Sequence, residues 1–306
     1  MENFIPCALR DLPKEEIIPA SRTAIRLNPL NRPRYYPRLG IEVLPMPKEE
    51  GAEEEKIDEP MRIALMTSKY WGVEGVKLGV YFMDNPPPDL RARILSHMSA
   101  WSAQANVTFR ESSSNQAEVR IVRTRGQGYW SYLGTDILHI PAGQPTLCLD
   151  SFSMSTPESE YKRVVRHETG HTLGFPHEHM REAIVNQLDP QKTIVYFQQT
   201  QGWSPQTTRQ QVLTPIPEAQ LTGTAADETS IMTYSLPGSI TYDGQPIVGG
   251  TDINTQDYAL AAQLYPKAAA PAPPPNGGKP PAPAKETHIT ILVEGVVTRV
   301  KGITIE

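Results

Sequence analysis

The chain has 306 residues, a formal net charge of −5 and a hydrophobic content of 39%. That length is enough to bury one large core or two modest ones. The acidic balance offers no basic surface for nucleic acid, so nucleic acid is not predicted as a partner. The apolar runs, such as ITILVEGVV near the C-terminus, are too short to span a bilayer.

The first residues, MENFIPCALRDLPKEE, lack the basic and apolar regions of a secretory signal. We therefore expect a cytoplasmic protein or one released without a cleaved signal peptide, and secretion stays open. The two cysteines, Cys7 and Cys148, allow at most one disulfide. Stability must then come from core packing, and from a metal if one binds, rather than from a disulfide framework.

Residues 1–61 are rich in proline and charge and end in the acidic run EEGAEEEKIDEP. This composition favours a loosely ordered leader; the alternative is a pro-segment that lies across an active site. From residue 62 the pattern becomes globular, with a strand predicted over 76–84 and a helix capped by Asp89. NVTFRE and AEVRIVRTR favour two more strands, and DILHIP and PTLCLD favour two short ones.

Two further helices and a tail complete the pattern. A helix is predicted from Pro157 to Leu173, and a closing helix over 253–266 with Asn254 or its neighbour as the N-cap. Residues 267–285 form a linker rich in proline and alanine. The tail, 286–306, resembles a β-hairpin that is too small for an independent domain and adds to a sheet edge in this molecule or another.

The stretch HETGHTLGFPHEH holds four of the seven histidines of the chain. His167 and His171 are four residues apart, so on a helix they share one face and can hold one zinc ion together. Glu168 lies beside this pair. It is predicted to act as a general base on a water molecule next to the metal.

A third histidine needs a turn to reach the same ion. Gly174 permits a sharp break after the helix, and Pro176 prevents the helix from continuing. The break can return His177 to the metal, and three histidines with one open position are typical of a catalytic zinc. His179 does not fit the ligand spacing, so we expect it to support the site or lie at the surface. The alternative is a solvated polar helix without a metal.

The stretch HETGHTLGFPH matches the pattern HExxHxxGxxH, and the chain therefore resembles the metzincin zinc proteases. Downstream, SIMTYS resembles the methionine-containing turn of the astacin branch. The resemblance implies that Met232 forms an apolar floor beneath the zinc. It also implies that Tyr234 is a labile extra ligand that swings aside and stabilises the oxyanion. The alternative is a buried methionine and a core tyrosine in an ordinary turn.

The likeness extends over about residues 62–266, which implies an astacin-like catalytic domain there. GYWSYLG resembles the family stretch before the strand that binds substrate, although Tyr129 stands where the family has a cysteine. The two family disulfides therefore cannot both form, which implies a divergent member. The implied fold is α+β and zincin-like. It has a twisted, mostly parallel sheet, an active-site helix, a backing helix and a loop-rich lower subdomain.

The usual astacin leader holds an aspartate over the zinc in the motif F-x-G-D, which residues 1–61 lack. Cys7 is the alternative blocker, because a thiolate is a good zinc ligand and would displace the water. Three other interpretations stay open: a plain buried cysteine, a bridge to Cys148, and a blocking carboxylate from the acidic run.

These features predict a zinc endopeptidase that hydrolyses internal bonds of proteins or peptides and can process its own leader. Glu168 would move the proton, Tyr234 would stabilise the oxyanion, and the substrate would pair antiparallel with an edge strand near Trp130–His139. Two alternatives are a latent or non-catalytic zinc-binding module and a metal-dependent amidase or exopeptidase.

Overall fold

The structure is a computed structural model. It describes residues 7–33, 67–216 and 225–267, together with the backbone of 287–293 and 296–302. The acidic run of the leader, and with it the hypothesis of a blocking carboxylate, lies outside these residues. So does all but the first residue of the predicted linker. Contacts divide the chain into two units, Met1–Ala268 and Ala269–Glu306.

The first unit contains a six-stranded sheet with the order β1-β5-β6-β4-β2-β3. The strands are β1 (Cys7–Arg10), β2 (Val76–Phe82), β3 (Val107–Glu111), β4 (Val119–Val122), β5 (Tyr129–Tyr132) and β6 (Leu147–Leu149). Every neighbouring pair is parallel except β5 and β6. The predicted mostly parallel sheet is confirmed, and the short strand predicted in PTLCLD corresponds to β6.

Helices accompany this sheet in the first unit. They are α1 (Lys14–Leu27), α2 (Pro88–Met98), α3 (Glu158–Glu160 and Arg166–Thr172, joined by the π-helical turn Tyr161–Val165), α4 (Glu182–Val185), α5 (Pro190–Gln201), α6 (Pro205–Thr208) and α7 (Thr255–Leu264). The closing helix α7 begins with a capping box between Asn254 and Asp257, which confirms the predicted N-cap.

Two sequence predictions are wrong. The N-cap of α2 is Pro87 and not Asp89, because Pro88 takes the first helical position, where a proline loses no hydrogen bond. DILHIP is not a strand, because the chain turns at Gly134, where φ is +46°. Residues Gly134–His139 then form a 3₁₀ helix.

The helix α3 lies beneath the sheet and carries the histidine motif. Its second part is buried from His167 to Thr172, and Val164 and Val165 in the π-helical turn pack into the main hydrophobic core. The Trp101 indole, just beyond α2, donates to the Arg166 carbonyl at 2.9 Å. These contacts hold α3 against the main core and against the segment that follows α2.

The second unit is described only by its backbone. Strands β7 (Thr287–Val293) and β8 (Val296–Gly302) pair antiparallel in one two-stranded sheet. Across the described residues of both units, no helix combines the length and the apolar character that crossing a membrane requires.

Candidate metal centre

Four side chains from separate parts of the chain converge beneath the sheet. They are Cys7 on β1, His167 and His171 on α3, and His177 beyond the end of that helix. Their ligating atoms all lie within 4.8 Å of one another, and all four residues are buried. The structure thus brings together the three histidines and the cysteine that the sequence singled out.

Backbone carbonyls orient two of the imidazole rings. The Nδ1 atom of His167 lies 2.6 Å from the Ile231 carbonyl, and the Nδ1 atom of His171 lies 2.8 Å from the Phe175 carbonyl. A carbonyl can only accept, so each Nδ1 carries the proton and each Nε2 is left with a lone pair. Partners of this kind fix the tautomer and the ring orientation of a metal-ligating histidine.

The donor set fits one zinc ion. Burial lowers the pKa of His167 to about 4 and holds the pKa values of His171 and His177 well below the ordinary range, so the rings are neutral. The His167 Nε2 atom has no hydrogen-bond partner among the described residues. The Nε2 atoms of His171 and His177 are 3.0 Å apart, near the separation on the order of 3.3 Å that a zinc tetrahedron requires.

Gly174 makes the turn that brings His177 back to the cluster. Its φ is +95°, and its N–H donates to the His171 carbonyl at 2.8 Å. A Cβ atom at this position would lie 2.9 Å from the Lys69 carbonyl oxygen. Glycine is required here both by the backbone conformation and by the neighbouring chain segment.

We expect Gly174→Ala to lower the free energy of unfolding by about 2–4 kcal/mol and to reduce zinc retention. Alanine would strain the backbone at this positive φ, and its Cβ atom would crowd the Lys69 carbonyl oxygen. The matched control is Gly143→Ala, where φ is +84° and a Cβ atom would meet nothing within 4 Å. It should lose only about 1–2 kcal/mol. Urea denaturation and metal analysis measure both effects. Equal losses from the two variants would contradict the role of the close approach.

Glu168 is buried beside the histidines, with 1% of its surface exposed. Burial raises the pKa of its carboxyl group to about 8, while the Cys7 thiol and Arg163 act in the opposite direction. A buried carboxyl group whose pKa lies near neutral pH can both take up and return a proton.

Cys7 does not bridge to Cys148, since both cysteines are free. The disulfide hypothesis is therefore wrong. In the register of the sheet, Cys7 lies beside Tyr129 and Cys148 beside Trp130. The Cys7 side chain lies at the histidine cluster instead. Burial and the nearby Glu168 raise the pKa of the Cys7 thiol well above its ordinary value.

The methionine-containing turn lies beneath α3. A Cβ atom at Gly170 would lie 2.5 Å from the Met232 sulfur, so the turn and the helix are in close contact. Asp257 anchors the turn by accepting from the Ser230 hydroxyl at 2.6 Å and the Ile231 N–H at 2.9 Å. No role for Asp257 was predicted from the sequence, although its place three residues after Asn254 is a capping-box signal.

Tyr234 contacts both the histidines and the leader. Its hydroxyl donates to the Cys7 carbonyl, and its ring centroid lies 4.6 Å from that of His177. His179 stacks on Tyr234 at 3.9 Å and is fully buried. Its Nε2 atom lies 3.0 Å from the Gln211 carbonyl. The structure agrees with the expectation that His179 supports the site and contradicts the expectation that it lies at the surface.

The helix α1 and the residues just after it attach the rest of the described leader to the first unit. His139 lies between Glu16 and Thr23, with its ring nitrogens 2.8 and 3.0 Å from their side-chain oxygens. Asn31 exchanges two hydrogen bonds with the Tyr70 backbone, at 2.7 and 2.9 Å. Residues 7–33 are therefore folded onto the domain rather than loosely ordered.

Comparisons with known proteins agree with this geometry. The model of the Astacin peptidase family matches residues 66–243. The zinc metalloproteinase nas-27 of Caenorhabditis elegans is 38% identical over 100 residues, which are 33% of this chain and 21% of that protein. The chain thus matches about a fifth of the length of this curated relative.

Two solved structures of myroilysin are similar as well. One has a TM-score of 0.62 and 29% sequence identity, and the match covers 66% of this chain and 97% of that one. The other has a TM-score of 0.51 and 30% identity, with 65% and 87% covered.

Proposed function

Because the chain belongs to the astacin family of zinc metallopeptidases, we propose that it is a zinc endopeptidase kept latent by its own leader. The family uses one zinc ion, and His167, His171 and His177 are the proposed ligands. The observation that supports the proposal most is the convergence of these three imidazoles at the end of the extended strand β1, with the buried Glu168 carboxyl group next to His167 in the chain. A closed structural zinc would have no need of Glu168.

When bound, the zinc polarises the scissile carbonyl and makes a neighbouring water more acidic. Glu168 takes the proton of that water and later delivers it to the leaving amine. Tyr234 donates to the carbonyl oxygen as negative charge develops on it. Its hydroxyl already donates to the Cys7 carbonyl, which supports this role, because that carbonyl belongs to a residue at the cluster.

The substrate is proposed to be an extended peptide that pairs antiparallel with β5. The leader strand β1 now takes this edge, with Cys7 beside Tyr129 and Arg10 beside Tyr132. The site thus accepts an extended strand along β5, which supports a peptide as the substrate. The predicted binding edge, Trp130–His139, is too long, because the chain becomes 3₁₀ from Gly134.

The leader is proposed to block the site in two ways. The Cys7 thiol occupies the position next to the three imidazoles, where it would displace the water as a fourth ligand. The strand β1 also runs parallel to β5, opposite to the direction proposed for substrate. Its peptide bonds therefore meet Glu168 in the reverse direction to those of a substrate, which would protect the leader from cleavage while it is bound.

The test is cleavage of a peptide library blocked at both ends, followed by mass spectrometry, with the full chain and a Cys7→Ala variant. We expect cuts at internal bonds, strongest in the variant, and their loss when a chelator removes zinc. Turnover confined to unblocked termini or to small amides would favour the amidase or exopeptidase alternative. No turnover by either protein, with zinc bound and the leader cleaved away, would favour a non-catalytic zinc module.

A further inference from the structure

Gln211 holds the leader strand from the side opposite to β5. It lies in the π-helical turn Arg209–Leu213, a local irregularity that often marks functional positions. The Leu9 N–H donates to Gln211 Oε1 at 3.1 Å, and Gln211 Nε2 donates to the Leu9 carbonyl at 3.2 Å. The side-chain amide of Gln211 thus hydrogen-bonds to both the N–H and the C=O group of Leu9.

Gln211 and β5 lie on opposite sides of the leader strand and bind different residues of it. Successive residues of an extended chain direct their N–H and C=O groups to opposite sides. Leu9 faces Gln211, so its neighbours Ala8 and Arg10 present their groups to β5, with which they are in register. An extended segment in this cleft is therefore hydrogen-bonded along both edges.

The position of Gln211 is fixed relative to the metal centre. Its main-chain carbonyl accepts from His179, which stacks on Tyr234. Along the leader, Leu9 is two residues beyond Cys7, which lies at the histidines. The amide therefore contacts a bound chain about two residues away from the reacting position.

An amide side chain can serve chains of either direction. Reversing a strand exchanges the places of the N–H and C=O groups of a residue. A half-turn about the last bond of glutamine exchanges Oε1 and Nε2 in the same way, so both hydrogen bonds can form again. Neither a carboxylate nor a guanidinium can do this, since the first only accepts and the second only donates.

We propose that Gln211 binds the backbone of the peptide substrate, on the N-terminal side of the cleaved bond, after the leader has left. This inference rests on the proposed function. The ligand is any extended peptide, recognised through its main chain, so Gln211 contributes affinity and alignment and little sequence preference. It is a positioning residue that acts on substrate, in addition to β5.

The test compares Gln211→Ala and Gln211→Glu with Gln210→Ala, the exposed neighbour, in full chains that carry Cys7→Ala. Loss of two hydrogen bonds to substrate should raise the ratio of KM for long peptides to KM for short ones about tenfold, with kcat within about twofold. The short peptides are blocked ones that do not reach Gln211 on the N-terminal side. Weaker binding of the leader, or a general structural defect, would affect short and long peptides alike and would leave this ratio unchanged. The inference is overturned if the ratio is the same in Gln211→Ala and Gln210→Ala.

A second readout needs no activity. In the full chain with Cys7 intact, Gln211→Ala should speed hydrogen exchange at the Leu9 amide about tenfold, and Gln210→Ala should leave it unchanged. Unchanged exchange in Gln211→Ala would overturn the inference even if the enzyme is active. If every variant is inactive while the Leu9 exchange still responds, the proposed function fails and the contact to an extended backbone stands.

Discussion

Glu168→Gln should abolish most of the peptidase activity while the protein stays folded and keeps its zinc. The background is the Cys7→Ala full chain, so that the cleft can be reached. Glutamine preserves the size of the buried side chain but cannot take the proton of the attacking water. We expect kcat to fall about 10²–10⁴-fold, the usual contribution of a positioned general base. KM should change little, because substrate binding relies on β5 and on Gln211.

Steady-state kinetics on a blocked peptide, together with metal analysis of the same sample, measures this effect. The matched control is Glu182→Gln, the same change at an exposed position in α4, which should leave kcat at the parental value. Turnover within about tenfold of the parent, with zinc bound, would contradict the assignment of Glu168, since that loss is below the general-base range.

The sequence predicted the parts of the site that depend on local spacing. The separation of four residues places His167 and His171 on one helical face. The glycine that ends the helix accounts for the return of His177. These inferences need only the geometry of one helix and one turn. The structure brings the three imidazoles together as that geometry requires.

Contacts between distant segments could not be predicted in the same way. Gln211 lies in a loop-rich region, and nothing in its neighbourhood indicates that it meets Leu9, 202 residues earlier. The place of Cys7 at the histidines depends on the pairing of β1 with β5, which no local pattern encodes. The strand prediction for DILHIP failed because its apolar residues suit a strand, whereas the turn at Gly134 directs them into a 3₁₀ helix.

The proposed latency depends on contacts of two kinds, and they can be separated. The Cys7 thiol lies at the metal centre, whereas backbone contacts from β5, Gln211 and Tyr234 hold the strand itself. Removal of the thiol alone should therefore activate the full chain only in part. Removal of the whole leader should activate it fully, because the substrate edge of β5 then becomes free.

Cys7→Ala is expected to raise the activity of the full chain. If the thiolate contributes about 1.4–2.8 kcal/mol to holding the leader, kcat/KM rises about ten- to a hundredfold. Cys148→Ala is the matched control, because Cys148 is also free and buried but lies outside the cluster, and it should leave the activity unchanged. Cobalt substitution gives an independent measure through the thiolate-to-metal absorption band. This band should be present in the parent and in Cys148→Ala and absent from Cys7→Ala. A parent protein without that band, or equal activity in the two variants, would show that another part of the leader causes the latency.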